Sequence, residues 1–222
     1  MSDYISELEA WLRGHADREK AEAMEAYMRN QFPFLGIKKP ERERLLKEFW
    51  KKRGLPKGEE LLHAAERLWE LPEREFHYAA MGLMEKYGKA AERSHIDRLE
   101  RWVTAHSWWD TVDFIADHLI GGHFKRYPDL VPAYTGLWIE SDNMWLRRTA
   151  LLFQLKYKDK TDAARLFDFI GRTKDESEFF IRKAIGWALR EYAKTDAAAV
   201  LRFVEATELS ALSRKEALKH LG

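Results

Sequence analysis

The chain has 222 residues, 45% hydrophobic and 34% charged, with a formal net charge of +1. It is long enough to bury a sizeable core, and it lacks the strongly basic balance of a nonspecific DNA coat. With no cysteine, disulfides, thiolate metal sites and cysteine nucleophiles are excluded, and a reducing, cytoplasmic setting is expected.

Met1 to Ala10 is polar and acidic, unlike a secretory leader, and no stretch approaches the ~20 apolar residues of a membrane span. Valine occurs only five times and there is no Asn-Gly or Asp-Gly pair, so strands and tight hairpins are not expected. Apolar residues instead recur at helical spacing and predict about a dozen helices. Short loops are expected at Leu55-Pro56-Lys57-Gly58, Tyr127-Pro128-Asp129 and Ser141-Asp142. Pro72 suits a first helical turn. Ser107 with Asp110, and Ser213 with Glu216, have the spacing of capping boxes. Gly121-Gly122 suits a helix end. With no long linker, residues 1–222 are expected to form one domain.

Three segments end alike: Met84-Glu85-Lys86-Tyr87, Gln154-Leu155-Lys156-Tyr157 and Leu189-Arg190-Glu191-Tyr192. Their tyrosines are 157−87=70 and 192−157=35 residues apart, and Trp108 to Gly122 fits the gap as a degenerate copy. A period of about 35 residues predicts an all-α solenoid of stacked helix pairs whose second helices line a concave wall. In that register Asp113, Arg148 and Lys183 fall at equivalent depth on successive inner helices.

Several residues on that wall can carry chemistry. Trp109 and Asp113 are four apart and share a helix face, with Trp108 turned inward and Asp117 continuing the stripe. Two neighbouring carboxylates repel, so the face is either solvated or functional. Of the adjacent Arg147 and Arg148, the register selects Arg148 as the inner one, where its planar fork suits a phosphate. Lys183, Trp187 and Arg190 form one stripe, an indole between two cations; it suits nucleic acid, or a core tryptophan with snorkelling neighbours. From Ser141 to Gly222 there are 16 Lys plus Arg against 12 Asp plus Glu, a mild excess of +4. The eight histidines show no metal-ligand spacing, and nucleotide-hydrolase and serine-esterase motifs are absent.

The segments Tyr27-Met28-Arg29-Asn30, Phe34-Leu35-Gly36-Ile37, Leu71-Pro72-Glu73-Arg74-Glu75-Phe76, Ser107-Trp108-Trp109-Asp110, Ser141-Asp142-Asn143, Phe153-Gln154-Leu155-Lys156-Tyr157 and Ala184-Ile185-Gly186-Trp187 resemble, in order and spacing, the AlkD-type alkylpurine DNA glycosylases, built from HEAT-like helical repeats. The resemblance runs from about residue 20 to the end. It implies a concave DNA-binding face and excision of 3-methyladenine and 7-methylguanine from duplex DNA, without flipping the base into a deep pocket. Trp109, Asp113 and Trp187 match the catalytic cluster and Arg148 a backbone clamp. Tyr27, Lys156 and Arg190 match further DNA contacts, with Lys183 added from its stripe. No cofactor or metal is implied, and a monomer is expected. A noncatalytic repeat module that grips DNA or protein is the alternative.

Overall fold

The computed structural model describes residues 2–221. Among these the regular elements are all helical, as the periodicity predicts, and no helix is long and apolar enough to cross a membrane. The chain divides into two compact units, Met1–Ala91 and Glu92–Gly222.

The first unit contains α1 (Ser2–Arg13), α2 (Arg18–Tyr27), α3 (Lys39–Arg53), α4 (Gly58–Trp69) and α5 (Arg74–Tyr87). Two of the sequence segments singled out above meet here. Glu75, fully buried at the start of α5, accepts backbone N–H groups from Leu35 (2.9 Å), Gly36 (2.9 Å) and Ile37 (3.0 Å). Burial pushes its carboxyl above the usual carboxylate range, against the pull of those donors. Gly36 has φ +89°, and a Cβ there would fall on the Asp17 carbonyl, so only glycine fits. The buried Arg74 lies over the Phe32 ring at 3.8 Å. Pro72 precedes α5 instead of opening it, because Glu73 is the N-cap.

The second unit is a two-layer stack. Its elements are α6 (His95–Thr104), α7 (Trp109–Phe114), a π-helical turn (Ile115–Ile120), α8 (Gly121–Arg126), α9 (Val131–Ile139), α10 (Met144–Leu152), α11 (Ala163–Thr173), α12 (Phe179–Ala193), α13 (Ala197–Ala206) and α14 (Ala211–Ala217). Helix α10 packs on α7 and the π turn on one side and on α12 on the other, and α12 packs in turn on α14. Helices α9, α11 and α13 pack against the members of this row. Such stacking buries amphipathic faces that no helix pair could bury alone.

Local details explain the loop sequences. Asn143 caps α10 by accepting Trp145 N–H at 2.9 Å, and Ser141 Oγ accepts Asn143 N–H at 3.1 Å. Gln154, buried behind the end of α10, accepts from Asp162 N–H at 2.7 Å, while Asp162 caps α11. The expected capping boxes form differently. Ser107 donates to the Val103 carbonyl while Trp108 is the N-cap of α7. Ser210, not Ser213, caps α14; the Ser213 hydroxyl donates to the Arg182 carbonyl at 3.0 Å. Gly121-Gly122 does not end a helix: it opens α8 directly after the π turn.

Candidate functional site

The site is centred on Asp113, at the end of α7, where the backbone enters the π turn. Its side chain is 14% exposed and meets Arg148 of α10 in a bidentate pair, Nε to Oδ1 at 2.7 Å and Nη2 to Oδ2 at 2.8 Å. Burial pushes the Asp113 carboxyl up from the usual carboxylate range, and the Arg148 charge and hydrogen bonds oppose that push. Asp117 and Asp110 add smaller upward pushes. The pair spans the 35 residues of the repeat, so the register does bring these two residues together.

Arg148 is itself buried, and its third nitrogen, Nη1, donates to the Phe180 carbonyl of α12. Every guanidinium nitrogen is therefore engaged. Arg148 orients the carboxylate and ties α7, α10 and α12 together; it does not present an open fork to a phosphate. Behind it, Trp108, Trp145 and Phe180 contact one another with ring centroids 5.1 to 5.8 Å apart. Aromatic contacts of this kind contribute ~0.5–1.5 kcal/mol each beyond burial. The Trp108 indole N–H is buried without a hydrogen-bond partner among the described residues. Trp108, expected to turn inward, is half-buried like Trp109.

Trp109 is the first residue of α7, one turn before Asp113, and is half-buried. Trp187 is half-buried on α12. Both are less buried than Trp138, which is 1% exposed. The two cations beside Trp187 turn to one carboxylate of α14: Lys183 Nζ donates to Glu216 Oε1 at 2.8 Å and Arg190 Nη1 to Glu216 Oε2. These hydrogen bonds, that of Lys183 first, hold the Glu216 carboxyl down to about 2. Gly186 lets α14 approach, since a Cβ there would press on Glu216 Cβ and sit 2.8 Å from the Ser213 carbonyl.

Asp117, one turn beyond Asp113, bonds His118, whose ring stacks on Phe114 with centroids 4.2 Å apart. Lys156 Nζ joins this group, 3.6 Å from Asp117 and hydrogen-bonded to His118. The adjacency of Asp117 and His118 was the available sequence signal for it. Tyr27 ends α2 in the first unit and is 72% exposed. Among the described residues no group of three His, Cys, Asp or Glu side chains is arranged to hold a metal ion.

A helical-repeat protein that clamps a buried carboxylate between stacked helices is the class defined by this geometry. The family model described as DNA alkylation repair enzyme matches residues 8–221. A solved structure, a predicted DNA alkylation repair enzyme from Enterococcus faecalis, is 34% identical with a TM-score of 0.85, covering 93% of this chain and 97% of that one. The crystal structure of smu.31 from Streptococcus mutans UA159 is 18% identical with a TM-score of 0.61, covering 81% of this chain and 96% of that one, and shares the fold alone. No curated protein matches. The chain belongs to the DNA alkylation repair enzyme family.

Proposed function

We propose that this chain is a monofunctional DNA glycosylase that hydrolyses the N-glycosidic bond of cationic alkylated purines, 3-methyladenine and 7-methylguanine, in duplex DNA. The observation that carries the proposal is the buried Asp113 carboxylate, fixed by Arg148, on the same helix as the half-exposed Trp109.

Alkylation at N3 or N7 gives the base a positive charge. When the C1′–N9 bond breaks, its electron pair neutralises that charge and the base departs without needing a general acid. Positive charge develops on the deoxyribose instead. Asp113 supplies a fixed negative charge for it, and Trp109 and Trp187 supply indole faces worth ~0.5–2 kcal/mol each. Water then adds to C1′, and its proton passes to Asp113 or to solvent, leaving an abasic site. No cofactor or metal enters this scheme, and a monomer suffices for it.

Half-exposed indoles suit contact with sugar and backbone, so the base need not enter a deep pocket, and sequence preference is expected to be small. Tyr27 and Lys156 would hold phosphates. Lys183 and Arg190 together carry one charge more than Glu216 neutralises, so that stripe still favours a phosphate. Arg148 acts through Asp113 as a positioning residue.

The test is release of methylated bases from alkylated duplex DNA. Asp113→Asn keeps the shape, removes the charge and is expected to slow release by about 10²–10³-fold. Undiminished release would remove Asp113 from the mechanism. Duplex binding with no release would instead favour the noncatalytic module.

A further inference from the structure

Beyond Lys156 the charge continues. The Lys125 ammonium, at the end of α8, donates to the Lys156 carbonyl at 3.1 Å and lies 4.6 Å from the Tyr157 ring centroid. Tyr157 is anchored in turn through its hydroxyl to the Gly121 carbonyl at 2.8 Å. Lys158 and Lys160 follow in a 3-10 turn, with Lys158 held at φ +55°. Lys125 and Lys160 line an open groove of about 400 Å³ together with Tyr157 and the Arg165–Asp162 ion pair, so the two lysines are its net positive charge.

Three features distinguish this cluster from ordinary surface lysines. First, among the described residues none of Lys125, Lys158 and Lys160 has a carboxylate within ion-pair distance, whereas Arg93, Arg147, Arg172, Lys174 and Lys194 of the same unit all do. Second, burial and then repulsion from Lys160, Lys156 and Lys158 lower the Lys125 ammonium below its ordinary range, so like charges are held close enough to oppose one another. Third, the helix dipole explains only part of it: it favours a cation in the last turn of α8, which accounts for Lys125. Lys158 and Lys160 lie past the end of α10, beyond the reach of that effect. Unpaired cations held together in this way are complementary to a polyanion.

We propose that Lys125, Lys158 and Lys160 extend from Lys156 as a phosphate-gripping track that binds the backbone of the duplex to one side of the lesion. The track begins beside Asp117, one helical turn from Asp113, so a duplex centred on the carboxylate passes along it. This rests on the glycosylase reading only for where the lesion sits. Its work is binding, not chemistry.

The experiment uses the full chain and fluorescence anisotropy on duplexes carrying a stable tetrahydrofuran abasic analogue, either with two long arms or with one arm trimmed. The probe variant is Lys125→Gln/Lys158→Gln/Lys160→Gln, and the matching triple Lys→Arg variant preserves charge. Each phosphate contact adds ~0.9 to the slope of log affinity against log salt. The Gln variant is therefore expected to lose about 2 to 3 from that slope and affinity on the order of 100-fold at 0.1 M salt. The Arg variant should bind like the parent. Trimming one particular arm should weaken the parent and leave the Gln variant unaffected. A Gln variant with parental slope and affinity overturns the track and leaves the glycosylase reading standing. Parental protein that binds this duplex but releases no base from methylated duplex DNA leaves the track standing and sinks the glycosylase.

Discussion

Arg148→Met tests the centre of the site most directly. The substitution removes a guanidinium that is 5% exposed and leaves the Asp113 side chain, 14% exposed, with neither of its two charged hydrogen bonds. Breaking a buried pair from one side costs about 3–5 kcal/mol, because the remaining charge is unpaired and poorly solvated. Loss of the bond to the Phe180 carbonyl adds about 1 kcal/mol. The penalty depends on Asp113 being ionised. Without Arg148, burial and the lesser repulsion from Asp117 and Asp110 act unopposed and raise the folded-state pKa of Asp113 further above its unfolded value. The destabilisation is greatest above the folded value and shrinks as pH falls through it toward the unfolded value. Urea unfolding at pH 7 and pH 5 measures this, and Asp113→Asn/Arg148→Met closes the cycle, with the double variant expected to recover at least 1–2 kcal/mol relative to Arg148→Met. The same displacement should carry the acid limb of base release to higher pH. A loss below about 1 kcal/mol, equal at both pH values and additive in the cycle, would refute the buried clamp.

Other consequences follow from the same geometry. Glu75→Ala strands three backbone N–H groups in a buried loop, so unfolding should cost about 3 kcal/mol or more less; hydrogen exchange at Leu35, Gly36 and Ile37 should rise before that of other amides. Glu216, with its carboxyl held down to about 2, stabilises the contact of α12 with α14 at pH above its unfolded value near 4.5, and that contribution disappears as pH falls toward 2. Thermal melts of Glu216→Gln should lack that acid-dependent part. Gly186→Ala places a methyl group against Glu216 and the Ser213 carbonyl, an overpacking worth about 1–3 kcal/mol in the same melts. Trp109→Ala and Trp187→Ala should each slow base release by roughly 2- to 30-fold with little change in duplex affinity, the kinetic equivalent of one lost cation–π contact.

The repeat was the most legible feature of the sequence because a 35-residue period is a property of spacing, which survives when side chains differ. It located Asp113 and Arg148 on neighbouring helices, and their contact depends on nothing more than two helices packed in register. The same register placed Lys183 third in the row, where the lysine turns instead to Glu216. Charge partners of long side chains depend on which carboxylate lies within reach, and α14 is not part of the register. The aromatic trio was partly readable, since Trp145 and Phe180 are 180−145=35 residues apart. The bonds from Leu35, Gly36 and Ile37 to Glu75 join residues about 40 apart through backbone donors, and backbone donors leave no trace in residue identity. The two segments were conspicuous separately, and only the fold shows that one exists to hold the other.

The π turn is the other feature that spacing could not reveal, because its i→i+5 pattern uses the same residue types as an α-helix. Its position has a consequence for the site. Asp113 is the second-last residue of α7, and the turn beyond it carries Asp117 and His118 toward Lys156. The carboxylate clamped by Arg148 and the lysine track are thus joined by a single stretch of backbone. A duplex that draws Lys156 away from Asp117 leaves that second carboxylate with His118 but without its lysine, one turn from the first. Repulsion between them then favours retaining Arg148 on Asp113, so engagement of phosphate at the track and orientation of the carboxylate at the lesion reinforce each other. Asp117→Asn removes the repulsion and should lower the acid limb of base release while leaving the Asp113–Arg148 coupling in urea unchanged; an acid limb that stays in place would separate the two halves of the wall.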